Sequence, residues 1–367
     1  MKILFQQIKH LALHRKFKRN KIAFVPTIFN FIQKEENEVE FTKIKDTNIQ
    51  EASRVALGTW AIGGWMWGGT DEKESIKTIQ AAIDMGINVV DTAPVYGFGR
   101  SEEIVGKAIA ETGKRDKVII ATKVALDWKN GEPFRNGSKK RILAEVDDSL
   151  KRLRTDYIDI YQVHWPDPKV PMEETAEAMR TLYESGKVRA IGVSNFSVEQ
   201  MEAFQSVAPL HTMQPPYNLF ERDVEKDVLP YAVKHELTSL FYGSLCRGLL
   251  SGKMSPDRKF EGDDLRKNDP KFQPDRLPQY LSAVNELNVW VQEAYGKKVI
   301  HLAVRWLLDQ PGSSIALWGA RRPDQLDAVK DVFGWKLKKE DLKTIDDIIN
   351  KNVKNPVGPE FMAPPED

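Results

Sequence analysis

Four side chains in this sequence could together move a proton onto an oxygen: Asp91, Tyr96, Lys123 and His164. Each lies at or just beyond the end of an apolar run. INVV stops at Asp91, with Tyr96 in the loop that follows; VIIATK stops at Lys123; YIDIYQVH stops at His164. A free phenol has a pKa of about 10 and is a poor acid at neutral pH. An ammonium group beside it favours the phenolate and lowers that value. A carboxylate keeps the ammonium charged and oriented. Such a set can protonate a carbonyl oxygen while hydride reaches the carbon, and an imidazole can hydrogen-bond the same oxygen. Taken singly, each residue has a plainer reading: a solvated lysine, a turn-forming aspartate, a histidine satisfying a backbone group. Their recurrence at consecutive strand ends argues for the joint reading.

Other apolar runs also end on polar groups: AIGVSN at Asn195, HTMQ at Gln214, SLFY at Tyr242 and SIALWG at Gly319. A parallel barrel brings the C-terminal ends of its strands to one mouth. With RVALGTW as the first strand, strands alternate with helical patterns near Lys73–Met85, Ser101–Glu111, Lys139–Leu153, Met172–Ser185, Val198–Ser206, Val224–Lys234, Leu281–Tyr295, Val299–Leu308 and Pro323–Asp331. Alternation of this kind predicts a parallel α/β sheet, and eight units predict a (β/α)8 TIM barrel over 38–352. FTKI and NIQ predict an N-terminal β-hairpin plug, and Glu340–Asn350 an extra C-terminal helix. Residues 353–367 form a tail. The charged stretch Arg247–Arg276 follows strand seven and is expected to be a lid. Neither G-x-G-x-x-G nor G-x-x-x-x-G-K-[ST] occurs, which argues against a doubly wound sheet.

The chain has 367 residues, 41% of them apolar, and a formal net charge of +1. No global field favours nucleic acid or anionic lipid. Residues 1–34 carry eight Lys or Arg and no acid. This basic leader, 1–37, is expected to be poorly ordered, with a peripheral anionic contact as the alternative. No apolar run approaches the roughly 20 residues of a membrane span. The single cysteine, Cys246, excludes an internal disulfide and a multi-cysteine metal site, fits a reducing cytoplasm and is expected to serve packing. The six histidines show no metal-ligand pairing, so no metal is expected.

DTAPVYGFGRSEEIVGKAI, followed in order by ATK, QVHWPD, IGVSNFS, MQPPYN and GLLSGK, resembles the aldo-keto reductase superfamily. GTWAIGGWMWGG, YGSLCRGLLSGKM and LWGARRP look closest to its bacterial NADPH-dependent general-stress members, with potassium-channel beta subunits more distant. The resemblance runs from about 38 to about 352. It implies Tyr96 as general acid, Lys123 as the partner that tunes it, Asp91 as the partner of Lys123, and His164 as the group orienting the carbonyl. It implies NADP(H) as cofactor. Ser194, Asn195 and Gln214 would hold the nicotinamide carboxamide, and Tyr242 would stack on the ring. Lys253, Gly319, Arg321 and Gln325 would meet the phosphates, the last three at the N-terminus of the eighth helix. Thr59, Trp60, Gly243, Leu245 and Arg247 complete the implied contact set. Relatives often carry Glu and Asn for adenine where this chain has Ala328 and Val329.

Trp60, Trp65, Trp67 and Trp165 would make the substrate wall aromatic, suiting apolar or unsaturated aldehydes; a polyol is also compatible. The expected partner is a small carbonyl compound and the expected state a monomer. The rival readings are a Schiff-base aldolase using Lys123 and an NADPH-binding regulatory subunit with little turnover.

Overall fold

The computed structural model describes residues 38–366 apart from Ser313. The expected basic leader lies outside the described residues. Val39–Asp367 form one compact unit.

Eight strands close a parallel barrel: β3 (Val55–Gly58), β4 (Val89–Asp91), β5 (Ile119–Val124), β8 (Ile160–Val163), β9 (Ile191–Ser194), β10 (Thr212–Gln214), β11 (Thr238–Phe241) and β12 (Ser314–Gly319). β12 pairs with β3 to complete the ring. The strands are short and almost wholly buried because helices cover the outside and side chains fill the inside. β1 (Phe41–Thr42) and β2 (Ala52–Ser53) pair antiparallel below the barrel. The plug was expected from NIQ, but its second strand begins two residues later. Asn48–Gln50 belong to the connecting loop instead, where Thr47 Oγ accepts the Ile49 N–H. Ile44 and Ile49 enter the barrel floor beside Ala56, Val89, Ile160 and Leu240.

The outer helices are α1 (Trp60–Gly63), α2 (Glu72–Asp84), α3 (Arg100–Thr112), α4 (Lys139–Leu153), α5 (Met172–Glu184), α6 (Val198–Gln205), α7 (Val228–Lys234), α8 (Leu277–Tyr295), α9 (Val299–Leu308) and α10 (Lys339–Asn352). Their starts follow capping chemistry: Asp71 accepts from the Glu74 N–H, Ser138 from Arg141, and Ser197 with Gln200 forms a capping box. On α4, Ile142, Val146 and Leu153 form the buried stripe that the spacing predicts.

Two helix expectations needed correction, and one hairpin was missed. The helix expected over Val224–Lys234 is a 3-10 turn, Asp223–Glu225, followed by α7. The helix expected over Pro323–Asp331 is two 3-10 turns, Pro323–Leu326 and Val329–Val332. A four-residue turn lacks the summed dipole on which an anion site at a long helix N-terminus depends. The hairpin β6 (Leu126–Lys129) and β7 (Glu132–Arg135) went unread. Its signal was present as Asn130-Gly131, both with positive φ, the signature of a two-residue hairpin turn.

Candidate active site

β4 ends at Asp91, and β5 places Lys123 with its side chain fully buried. Lys123 Nζ donates to Asp91 Oδ1 at 2.7 Å, to Thr92 O at 2.9 Å and to Tyr96 Oη at 3.3 Å. All three ammonium hydrogens therefore have acceptors, as a buried charge requires. Tyr96 stacks on Trp60 with centroids 5.8 Å apart and meets the edge of His164 at 5.7 Å. So Asp91, Tyr96, Lys123 and His164 converge, although β4, β5 and β8 contribute them separately.

Tyr96 is held by a close backbone approach. A Cβ on Gly63 would lie 2.5 Å from Tyr96 O, and one on Gly97 would lie 2.2 Å from Gly63 O. Only glycine at both positions lets α1 seat against the Tyr96 loop.

Burial sets the protonation states. It pushes the Tyr96 phenol well above its ordinary value, and the charge of Asp91 adds to this. Raised in this way, the phenol keeps its proton at neutral pH, as a proton donor must. Burial also lowers Lys123, opposed by Asp91. His164 is held well below its usual range by burial and then by the Lys123 charge, so it is neutral at pH 7.

Above this group opens a cavity of about 480 Å³. Asp91, Tyr96 and Tyr242 line it, and so do the cations Lys253, Arg258, Arg266, Arg321 and Arg322. Thr59, Trp60, Gly243, Leu245, Arg247, Gly319 and Gln325 also line it. Lys123, His164, Ser194, Asn195 and Gln214 stand behind that lining. There Ser194 Oγ donates to Gln214 O at 2.7 Å, Asn195 Nδ2 donates to His164 O at 3.0 Å, and Tyr242 Oη donates to Asn195 Oδ1 at 2.9 Å. Asn195 has φ 61, a left-handed conformation that asparagine tolerates better than most residues.

Several of the implied contact residues also bond within the protein. The Thr59 hydroxyl bonds Asp91 O and Ser101. Arg247 is buried in ion pairs with Glu221 and Asp269, and Lys271 joins Glu221 at 2.7 Å. Against the cost of burial, those two cations hold the Glu221 carboxyl below its ordinary range. Arg247 thus ties the β11 loop to the lid rather than offering a free guanidinium. Arg321 spans the mouth to Trp67 O at 2.9 Å. Gln325 Oε1 accepts the Arg321 N–H at 2.7 Å, closing its own turn. Val329 is a core residue, and Ala328 packs against that core. Cys246 is fully buried and its thiol is pushed up to about 12 by burial, as suits a packing role.

Sequence reasoning missed Arg258 and Arg266 of the lid and Met362 of the tail as cavity walls. The two arginines sat in a stretch identified only by charge. Nothing local marks Met362. It arrives because Lys271 holds Gly358 O at 2.9 Å and Arg135 of β7 holds Pro364 O and Glu366. The lid itself is fastened: Asp263 accepts the Met66 and Gly68 N–H groups at 2.7 and 2.9 Å. Among the described residues, no helix is long and apolar enough to cross a membrane.

The closed barrel, with a buried Asp–Lys–Tyr cluster at its mouth and a basic groove beside it, defines an oxidoreductase scaffold, and the chain belongs to the aldo/keto reductase family, whose profile matches residues 54–350. It is 66% identical over 327 residues to the aldo-keto reductase YhdN of Bacillus subtilis, covering 89% of this chain and 98% of that one. The structure of the glycerol dehydrogenase AKR11B4 from Gluconobacter oxydans superposes with TM-score 0.79 at 55% identity, over 89% of this chain and 99% of that one. An aldo/keto reductase from Klebsiella pneumoniae in complex with NADP and acetate gives TM-score 0.65 at 28% identity, over 86% of this chain and 95% of that one.

Proposed function

We propose that this chain reduces aldehydes or ketones to alcohols with NADPH, using Tyr96 as general acid. The observation that carries this reading is Lys123 Nζ, fixed between Asp91 at 2.7 Å and Tyr96 Oη at 3.3 Å beside a cavity whose lining includes five cationic side chains. That cavity fits a phosphate-bearing dinucleotide by its donor chemistry. Lys253, Arg258, Arg266, Arg321 and Arg322 would hold phosphates, and the surplus of arginine favours NADP over NAD. Ser194, Asn195, Gln214 and Tyr242 would hold the nicotinamide end. Trp60, Gly243, Leu245, Gly319 and Gln325 would line the route between. When bound, the cofactor supplies the hydride that attacks the carbonyl carbon.

The chain's own residues manage the proton. Lys123 donates to the phenol oxygen, which leaves the Tyr96 hydrogen free to point at a substrate oxygen. As that hydrogen leaves, the ammonium stands 3.3 Å from the developing phenolate. Neutral His164 can give one N–H to the same oxygen. Asp91 and Thr92 O keep Lys123 in place throughout. Trp60 and Trp67 line the cavity and would keep its wall apolar beside the reacting atoms.

Oxidation of a polyol uses the same groups in reverse, and the 55% identity to a glycerol dehydrogenase favours small polyols as substrates in that direction. A cytoplasmic monomer completes the proposal. The test is NADPH absorbance against aldehydes, ketones and polyols, with NADH in parallel. Tyr96→Phe should lower turnover about 10²–10⁴-fold while NADPH still quenches indole fluorescence. Turnover within a few-fold of wild type would remove Tyr96 from the role.

A further inference from the structure

The mechanism above leaves Gln162, a buried polar side chain, unused. Gln162 lies on β8, in register with Lys123 on one side and Gly192 on the other. It is fully buried, and its Nε2 has no hydrogen-bond partner among the described residues. A buried orphan donor is costly and calls for a reason. The slot for this side chain is built in: a Cβ on Gly192 would lie 2.7 Å from Gln162 Cγ.

The reason lies next door. Gln214 Nε2 donates to Asp91 Oδ2 at 2.9 Å and faces Gln162 Oε1 at 3.4 Å. Both partners are acceptors. A primary amide has a donor end and an acceptor end on one flat group. Turned over, Gln214 would set its carbonyl oxygen against a carboxylate and another carbonyl. Lys123 pins Asp91, Asp91 takes one Gln214 hydrogen, and Gln162 takes the other. Gln214 Oε1 is thereby presented on the opposite side. Among the described residues no donor reaches it, and it is not one of the enclosed unpartnered atoms.

We propose that Gln162 is a positioning residue that locks the Gln214 amide with its oxygen outward, making the site selective for a cofactor head group that donates a hydrogen bond there, a carboxamide, and against the corresponding carboxylate. The inference rests on the cofactor reading above.

The test compares NADP+ with its analogue bearing a carboxylate in place of the carboxamide, each titrated by indole fluorescence quenching. Wild type should prefer NADP+. Gln162→Met and Gln162→Leu remove the second acceptor, loosen the hold on the Gln214 amide, and should cut that preference about tenfold, the scale of one net hydrogen bond. Neither variant should melt below wild type, because each also removes an orphaned donor. An undiminished preference in both variants overturns the assignment, as does a fall of several degrees in melting temperature, which would make Gln162 a packing residue. A wild type that binds both ligands equally overturns this inference alone. A wild type that binds no NADP+ overturns the cofactor reading, and this inference falls with it.

Discussion

Replacing Lys123 with methionine removes one end of an ion pair that is enclosed on all sides: both side chains are at most 3% exposed. The variant leaves Asp91 with the Gln214 amide as its remaining donor and strips Thr92 O of its 2.9 Å partner. Breaking such a pair from one side costs about 3–5 kcal/mol, most of it the penalty of an uncompensated buried charge. At roughly 2 °C per kcal/mol for a domain of this size, the melting temperature should fall by roughly 6–10 °C. Lys123→Met/Asp91→Leu removes the orphaned charge as well and should regain at least half of that loss, the coupling expected of groups in direct contact. Turnover should not follow stability. Both variants lack the ammonium at the phenol, so both should fall about 10²-fold or more in kcat. Thermal melts and single-turnover NADPH oxidation measure the two quantities separately. A single variant as stable as wild type would refute the claim of a desolvated pair. A double variant that recovers turnover with stability would reduce Lys123 to a structural residue.

Gly63→Ala should leave the barrel folded but push the Tyr96 loop, since the new methyl would sit 2.5 Å from Tyr96 O. We expect kcat/KM to drop about 10²-fold, the usual cost of misplacing a reacting group by an ångström; an unchanged value would show that the loop relaxes freely. Asp263→Ala removes two hydrogen bonds to the Trp65–Gly69 loop and should speed NADPH release about tenfold by loosening the lid, read by stopped-flow fluorescence; an unaltered release rate would mean that the lid is held elsewhere. Acid should destabilise the fold through His164, His211 and His301, which burial holds below the usual imidazole range, His301 down to about 4. Below about pH 6.5 the unfolded chain binds protons that the folded chain refuses, so stability is kept above that pH and lost as pH falls, by up to about 1.4 kcal/mol per pH unit for each such group. His301→Asn should flatten the fall between pH 6.5 and 4 in urea melts; an identical slope would remove His301 from the account.

Much of the site was legible because a strand end is a local fact. INVV before Asp91 and VIIATK before Lys123 are apolar runs that must be buried, and the residue after each run emerges where the barrel opens. The hairpin at Asn130-Gly131 was equally local and could have been read from its turn residues. The eighth helix shows the opposite failure. Pro323 and the periodic residues after it satisfy helix rules, yet Leu326, Val329 and Val332 reach the core from 3-10 turns, because tertiary packing overrides weak propensity over so short a segment.

The residue types alone determined the barrel and put an aspartate, a lysine and a histidine at the ends of successive strands, since strand periodicity and side-chain chemistry act over a few residues. Only the folded chain decided the rest. Arg247 faces carboxylates, Met362 arrives from the tail, Gly63 presses on Tyr96, and Gln162 faces Gln214 over the intervening β9. Burial, with the charge of Asp91 added, raises the phenol. Each of these depends on groups far apart in sequence meeting in a space without water, and burial is a property of the whole packing that no local pattern carries.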